Sequence, residues 1–357
     1  MHRPHKIVDL FAGPGGLDIA ARWLDIPVVG IELDKWACET RLAEGLDTRE
    51  RDVRDCKPSQ FEDATVLTGG PPCQTYTVAG QGAGRRALDD VLRFAEKMAS
   101  GKDVTAELAD LDDVRTGLVL EPLRWALEAK KAGHPYEVIV LEQVPAVLPV
   151  WKAMKGILEK LGYSADCGVL YAEEYGVPQT RRRAVLVARL DGVALLPKAT
   201  HRRFRKGVLR AAGDQTKLPW VTMGDVLERP GPFRVVSNYG TGGDPRARGI
   251  RTSDEPAFTV TSKISRNRIT THDGRDVNPA RFTHAEAGRL QTFPLDYRWR
   301  GRDVAQQIGN AVPPRLAAYV LAAALDLGHD ALRKIFPDLA TLDGVSTDEP
   351  SDQLNVF

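Results

Sequence analysis

The run Lys6-Ile7-Val8-Asp9-Leu10-Phe11-Ala12-Gly13-Pro14-Gly15-Gly16 carries an apolar strand straight into a turn of three glycines and a proline. Leu17-Asp18-Ile19-Ala20-Ala21-Arg22-Trp23-Leu24 follows, with apolar residues at helical spacing. Glycines there let the backbone approach a ligand, and the free amides at the helix start favour negative or polar groups. Taken alone, such a turn can equally serve to pack a strand on a helix. The next strand, Pro27-Val28-Val29-Gly30-Ile31, ends in Glu32. That is about 20 residues past the turn, where doubly wound folds place the acid that accepts hydrogen bonds from a ribose. The two features together predict an α/β doubly wound sheet with a ribose-bearing ligand at its edge. Asp52 comes after a helix over 35–44. It could close over an adenine or stand as an ordinary surface carboxylate.

The strand and helix alternation continues. Ala64-Thr65-Val66-Leu67 runs into Gly69-Gly70-Pro71-Pro72-Cys73-Gln74, where two glycines and two prolines stop a strand and open a rigid turn. Cys73 reads either as a small buried hydrophobe or as a nucleophile presented by that turn. The stretch 87–111 alternates acids and bases, which predicts an exposed, mobile insertion. A helix over 118–132 leads to Tyr136-Glu137-Val138-Ile139-Val140-Leu141, an apolar strand that terminates in Glu142. Carboxyl ends of parallel strands share one rim, so Glu32, Cys73 and Glu142 are expected together. A helix over 151–161 and a strand around 168–170 follow. Gln179-Thr180-Arg181-Arg182-Arg183 then precedes the strand Ala184-Val185-Leu186-Val187-Ala188, and alternate residues of a strand face one side, so Arg181 and Arg183 could reach one site.

With 357 residues, 43% hydrophobic and 27% charged, the chain can bury one large core and a smaller second one. Its net charge of +1 hides an asymmetry, because residues 201–281 hold 16 Lys+Arg against 8 Asp+Glu. Over 191–281 the strand and helix rhythm gives way to Gly, Pro, Thr and Arg, as in an irregular β module. Arg, Lys, Asn, Ser and Thr on loops hold phosphates and read base edges, although solvated charge explains any one of them. The four cysteines, at 38, 56, 73 and 167, form no Cys-x-x-Cys pair, so neither a disulfide framework nor a metal site is expected. No run approaching roughly 20 apolar residues is evident, and strand-like sequence begins at Lys6. These features predict a cytoplasmic protein without a membrane segment. An apolar helix over 316–327 must pack back on the first unit, which makes the scaffold discontinuous.

Six separated stretches together resemble the DNA (cytosine-5)-methyltransferase family. They are Asp9 to Gly16, Gly70-Pro71-Pro72-Cys73-Gln74, Glu142-Gln143-Val144, Gln179 to Arg183, Arg289-Leu290-Gln291-Thr292-Phe293-Pro294, and Gly309-Asn310-Ala311-Val312-Pro313-Pro314. Asp113, Arg115 and Leu118 look like the motif that follows the catalytic loop. The resemblance implies a Rossmann-like methyltransferase sheet in 1–190, an inserted target-recognition domain in 191–302, a closing segment in 303–337 and a mobile tail in 338–357. It implies an S-adenosylmethionine site made by Phe11, Gly13, Gly15 and Leu17, with Glu32 and Leu33 at the ribose and Asp52 and Val53 at the adenine. Pro72, Asn310 and Val312 complete that set. Cys73 would be the thiolate that adds to a flipped cytosine, Glu142 the group on ring nitrogen 3, and Arg181 and Arg183 the holders of the exocyclic oxygen and the phosphate backbone. Double-stranded DNA would be met by Gln74, Gln179, Arg246, Arg248, Arg251, Lys263, Arg266 and Arg268. A monomer, with a possible partner in a cognate restriction endonuclease, goes with this reading. Two alternatives are a transfer-RNA cytosine methyltransferase and a noncatalytic DNA-binding sensor of S-adenosylmethionine. Gln143 departs from the family's usual asparagine, so the brace of the catalytic turn is expected to shift.

Overall fold

The computed structural model describes residues 4–72, 83–111, 113–237 and 249–344. Strands β1 (Ile7–Leu10), β2 (Val28–Glu32), β3 (Thr48–Glu50), β4 (Val66–Gly69), β5 (Val138–Gln143), β6 (Ser164–Tyr171), β7 (Gln179–Thr180) and β8 (Arg182–Arg189) lie in the first 190 residues. All but β7 form one seven-stranded sheet in the order β3-β2-β1-β4-β5-β8-β6. The first five are mutually parallel, and β8 runs antiparallel to both β5 and β6. Chain order reverses between β1 and β4, which makes that junction the switch point where ligands bind in doubly wound sheets.

Period-two alternation sorts the strand residues onto two helical layers. Val8, Leu10, Ile31, Leu67, Ile139 and Leu141 face one core, which contains Trp125 and Trp151 from the helices Glu121–Lys131 and Leu148–Lys160. Ile7, Val66, Val138 and Val140 face the other, which is closed by the helices Gly16–Trp23 and Pro314–Ala324. The last of these helices returns from the far end of the chain. The apolar stretch Val304–Leu325 has the length and composition of a membrane span, yet 78% of its 18-residue apolar window is buried inside the protein and the helix is broken at residues 311–313.

Two expectations are corrected here. The stretch 87–111 is not a solvated insertion, because the helix Ala83–Ala99 buries Val91, Phe94 and Ala95 against the first core. Positions 91, 94 and 95 have i, i+3, i+4 spacing, so an apolar stripe lay beneath the charge alternation. Nor do residues 338–344 dangle. A 3-10 segment, Pro337–Gly344, places Asp338 on Arg315 and 3.3 Å from Nε2 of the buried His201, and Leu339 is buried.

A smaller core of Met223, Leu227, Phe233, Val235, Val260, Ile264, Ile269, Phe282, Leu290 and Ile308 gathers β9 (Arg234–Val236), β10 (Ile250–Thr252) and β12 (Arg268–Thr270), an antiparallel sheet in the order β10-β9-β12. Strand β11 (Ala257–Phe258) leaves this unit to pair in parallel with β7. It stitches the small unit to the rim of the large one.

Under the glycine turn lies a fully buried ion pair. Arg41 donates to both oxygens of Asp18, at 2.8 and 2.6 Å, and also to Thr48 Oγ1 and the carbonyl of Asp47. Desolvation opposes charge on a buried ion, so each partner is tolerable only through the other. Arg41→Met strands the Asp18 carboxylate and should cost about 3–5 kcal/mol. Urea denaturation of the variant checks this, and an unchanged midpoint contradicts the assignment.

Candidate active site

A cavity of about 530 Å³ opens at the switch point. Register explains its walls. Leu10 pairs with Ile31 on one side and Gly69 on the other, and Gly69 pairs with Leu141. The residues that come next, Phe11, Glu32, Gly70 and Glu142, therefore emerge at one level, and all four line the cavity. Gly13, Leu17, Pro72, Asn310 and Val312 also line it.

The glycine turn has been shaped around this space. Gly13 has φ +54°, in the left-handed region, and a Cβ there would meet no protein atom within 4 Å. A Cβ on Gly16 would lie 2.2 Å from the Val312 carbonyl oxygen, so the turn packs directly on the far end of the chain. Glu32 accepts from the amides of Gly13 (2.7 Å), Leu33 (2.8 Å) and Asp34 (2.7 Å). Burial pushes its carboxyl above the ordinary range, and these three N–H groups oppose that rise. An ordered acid beside a backbone cradle and an apolar Phe11 and Leu17 wall suits a ribose-bearing cofactor, and the volume falls within the range for small-ligand sites.

Four residues expected at the cofactor are not among those that line the cavity. Gly15 has φ +100° and packs beneath the turn, where a Cβ would lie 2.3 Å from Leu46 Cδ1. Asp52 caps a 3-10 turn and pairs with Arg54 at 2.6 Å. Val53 is 3% exposed and belongs to the main core, while the Leu33 side chain is 61% exposed to solvent. None of the four lines the cavity.

At the opposite end of the cavity Arg183 Nε lies 2.6 Å from Glu142 Oε1. Glu142 pairs with Val185 across the sheet, and Arg183, two residues earlier on the same face, reaches it diagonally. Burial works against the Arg183 charge and the Glu142 carboxylate supports it. Arg181 corrects the expectation of two equivalent arginines. It is 1% exposed, and it donates through Nη1 to Val260 O (2.8 Å) and through Nη2 to Gly309 O (2.8 Å) and Ala311 O (2.9 Å). Although Arg181 borders the cavity, those bonds go to the protein's own backbone.

Gln179, expected at DNA, is likewise buried. Its Oε1 accepts from Val260 N (2.9 Å), and its Nε2 donates to Leu290 O (2.7 Å) and Gln291 Oε1 (2.8 Å). A side chain with both ends satisfied inside the protein does not contact DNA. Of the other expected DNA residues, Arg251 stacks on Phe204 and Phe258, with its guanidinium carbon 4.2 and 5.1 Å from the ring centroids. Arg268 pairs with Asp276 at 2.6 Å, and Lys263 and Arg266 are exposed beside the turn Ile264–Arg266. Cys73, Gln74, Arg246 and Arg248 lie outside the described residues.

Gln143 keeps a brace despite its extra methylene. Its Nε2 donates to Pro71 O at 2.5 Å and its Oε1 accepts from Val144 N at 2.6 Å, so it grips the turn two residues before Cys73. Sequence reasoning missed Asp9, Thr259, Thr261 and Ser262, which also line the cavity. Asp9 could have been noticed as the lone acid of an apolar strand. The other three are ordinary hydroxyl residues of a loop and carry no such mark.

A doubly wound sheet with a glycine turn, a ribose-type acid and a Glu–Arg pair around one cavity defines a cofactor-dependent enzyme of the methyltransferase class. Residues 5–95 and 107–325 match the C-5 cytosine-specific DNA methylase profile, and the chain belongs to that family. It is a DNA cytosine-5 methyltransferase whose methyl donor is S-adenosylmethionine. The Type II methyltransferase M1.HphI of Haemophilus parahaemolyticus is 27% identical over 356 residues, covering 90% of this chain and 86% of that protein. The Type II methyltransferase M.AplI of Arthrospira platensis is 28% identical over 334 residues, covering 87% and 83%. Among solved structures, the Dnmt2 methyltransferase of S. pombe superposes with a TM-score of 0.58 at 17% identity, covering 90% of this chain and 98% of that one. An E. coli prophage protein described as a putative DNA modification methyltransferase gives 0.55 at 18%, covering 90% and 99%. At these identities the structures speak for the fold alone.

Gln143→Ala removes the bond to Pro71 O without touching the cavity's acids. Loss of one such hydrogen bond is worth about 1 kcal/mol, or roughly fivefold in turnover. Steady-state methyl transfer with saturating cofactor measures it, and an unchanged kcat contradicts the brace.

Proposed function

We propose that Cys73 is the nucleophile of this methyltransferase, that Glu142 and Arg183 hold the target cytosine, and that Phe11, Gly13, Leu17, Glu32, Pro72, Asn310 and Val312 hold the donor. The observation that supports this reading is the convergence of the Glu142–Arg183 pair and the glycine turn on one cavity. Bound S-adenosylmethionine supplies a methyl group on a positively charged sulfur, ready for attack. Carbon 5 of cytosine is too weak a nucleophile to accept it unaided. The Cys73 thiolate adds to carbon 6 and pushes electron density onto carbon 5, and Glu142 steadies the charge that develops at ring nitrogen 3. After methylation, loss of the carbon 5 proton expels the thiolate and restores the ring. Arg183 orients Glu142 and is placed to meet the exocyclic oxygen, while Arg181 serves as a positioning residue through its three carbonyls.

The target atom is hidden in a duplex, so the base leaves the stack before reaction. We read residues 191–302 as the unit that grips and reads DNA, on the strength of its basic excess and of the Thr259, Thr261 and Ser262 wall that it lends to the cavity. We further propose that the chain acts as a monomer and, in line with the Type II methyltransferase names of its relatives, alongside a cognate restriction endonuclease.

A duplex with 5-fluorocytosine at the target cannot lose a proton from carbon 5, so it should trap a denaturation-resistant covalent complex in the presence of S-adenosylmethionine. Cys73→Ala should abolish both the complex and methyl transfer. Normal methylation by that variant would falsify the mechanism. Separately, Lys263→Ala should weaken binding on all sequences alike and lower the salt slope of log K by about 1. Fluorescence anisotropy across a salt series measures it, and an unchanged slope removes Lys263 from the phosphate contacts.

A further inference from the structure

The tract His201-Arg202-Arg203-Phe204-Arg205-Lys206 opens a loop that is rooted in the main unit. The amides of Thr200 and His201 both donate to Glu174 O, at 3.1 and 2.9 Å, and Thr200 Oγ1 shares a hydrogen bond with the Tyr319 hydroxyl of the helix Pro314–Ala324. His201 and Leu218 bridge the base of the loop, and Leu218 packs on the second core. Five Lys and Arg fall in 201–210, and no acid follows them until Asp214. Two of the five are committed to the protein. Arg202 is buried and donates to Ala211 O, and Arg210 pairs with Asp225. Arg203, Arg205 and Lys206 are exposed and make no ion pair among the described residues.

Topology puts this loop beside the cavity. β6 runs parallel to β5, because each is antiparallel to the β8 strand between them. Their carboxyl ends therefore share the rim that carries Glu142. Tyr171, the last residue of β6, pairs with the exposed Arg182, and such cross-strand partners share a face. The Arg203 guanidinium lies on the Tyr171 ring, with its central carbon 3.3 Å from the centroid. Stacking fixes the plane of an arginine and leaves its edge N–H groups free to donate. Among the described residues Arg203 donates none of them to the protein. Glu173 and Glu174, on the 3-10 turn Ala172–Tyr175, bear on it from beyond ion-pair range.

We propose that Arg182 and Arg203, continued by Arg205 and Lys206, form a phosphate track on the rim of the main sheet, which holds the DNA backbone against the catalytic unit whatever the base sequence. Exposed cations gathered without acids repel one another, and a polyanion is the partner that relieves them. Phosphate contacts fix register and orientation and carry no sequence information. The track thus differs in kind from a reading surface on the small unit. It rests on the reading that DNA reaches the Glu142–Arg183 end of the cavity. β5 and β6 stand two strand spacings apart, about 10 Å, and a DNA strand advances ~3.4 Å per nucleotide, so Arg203 meets a phosphate roughly three nucleotides from the extruded cytosine.

Fluorescence anisotropy of the full chain across a salt series reads the track, on a duplex of random sequence and on one carrying the methylation site, which bisulfite sequencing of methylated random DNA identifies. Arg182→Gln and Arg203→Gln should each weaken binding on the order of tenfold and lower the salt slope of log K by about 1, equally on both duplexes. Arg203→Lys keeps the charge and should restore the slope. In steady-state methyl transfer the Gln variants should raise KM for DNA and leave kcat unchanged, because the contact is the same in ground and transition states. A methylphosphonate in place of one phosphate removes its charge. Placed about three nucleotides from the target, it should cost the wild type affinity and cost Arg203→Gln none. If Arg203→Gln does not fold by circular dichroism, Arg182→Gln carries the test alone, since among the described residues the Arg182 side chain bonds to nothing in the protein. An unchanged slope in a folded Gln variant, with Lys263→Ala lowering it, overturns the track and leaves the proposed function standing. An unchanged slope in all three variants removes DNA from the whole rim, and both readings fall. A loss confined to the methylation site makes these arginines readers of sequence and overturns the track, as does a lower kcat at unchanged KM.

Discussion

The structure depends on the buried guanidinium of Arg181. Its Nη atoms take carbonyls from residue 260 and from residues 309 and 311, so one side chain holds the small unit and the end of the chain to the rim of the main sheet. Gln179 works alongside it from the short strand just before it and bonds to Val260 N, Leu290 O and Gln291. Gln291 closes the circuit through Ile308 O. Burial works strongly against the Arg181 charge, and three oriented carbonyl dipoles compensate it. A partly satisfied polar network in a core is worse than none, so the members must be present together or not at all. The motif at 179–183 and the two more than a hundred residues further on, at 289–294 and 309–314, are thus one piece of structure.

That knot explains what was and was not legible in the sequence. The sheet could be read because parallel strands buried on both faces leave continuous apolar runs, each ended by a glycine or an acid. Glu32 and Glu142 stood out as carboxylates at such ends. Gln179 and Arg181 were visible as polar residues at the head of a strand, but nothing local says whether an arginine there meets a phosphate or a carbonyl. Only the third dimension brings residues 260 and 309–311 against it. Asp52 and Val53 show the same limit from another side. The resemblance put them at the adenine, while the fold pairs Asp52 with Arg54 and sets Val53 in the main core. The helix Ala83–Ala99 was misread because its charges are dense and its buried stripe is narrow.

The division of labour between the two arginines bears on chemistry as well as packing. Arg183 is partnered by an acid that faces the cavity, so its charge stands at the cavity wall. Arg181 sits next to it and sets where the small unit stands. A shift of that unit therefore reaches the Glu142–Arg183 pair over two residues of chain.

The close packing of Gly16 on the carbonyl of Val312 means that the cavity at the switch point is made from an early and a late part of the fold. Closing so long a loop comes late, after the nearer contacts have formed. During synthesis the chain emerges glycine turn first, and the wall that completes the pocket follows some three hundred residues later. A chain that has not yet reached residue 312 therefore lacks one wall of the cavity.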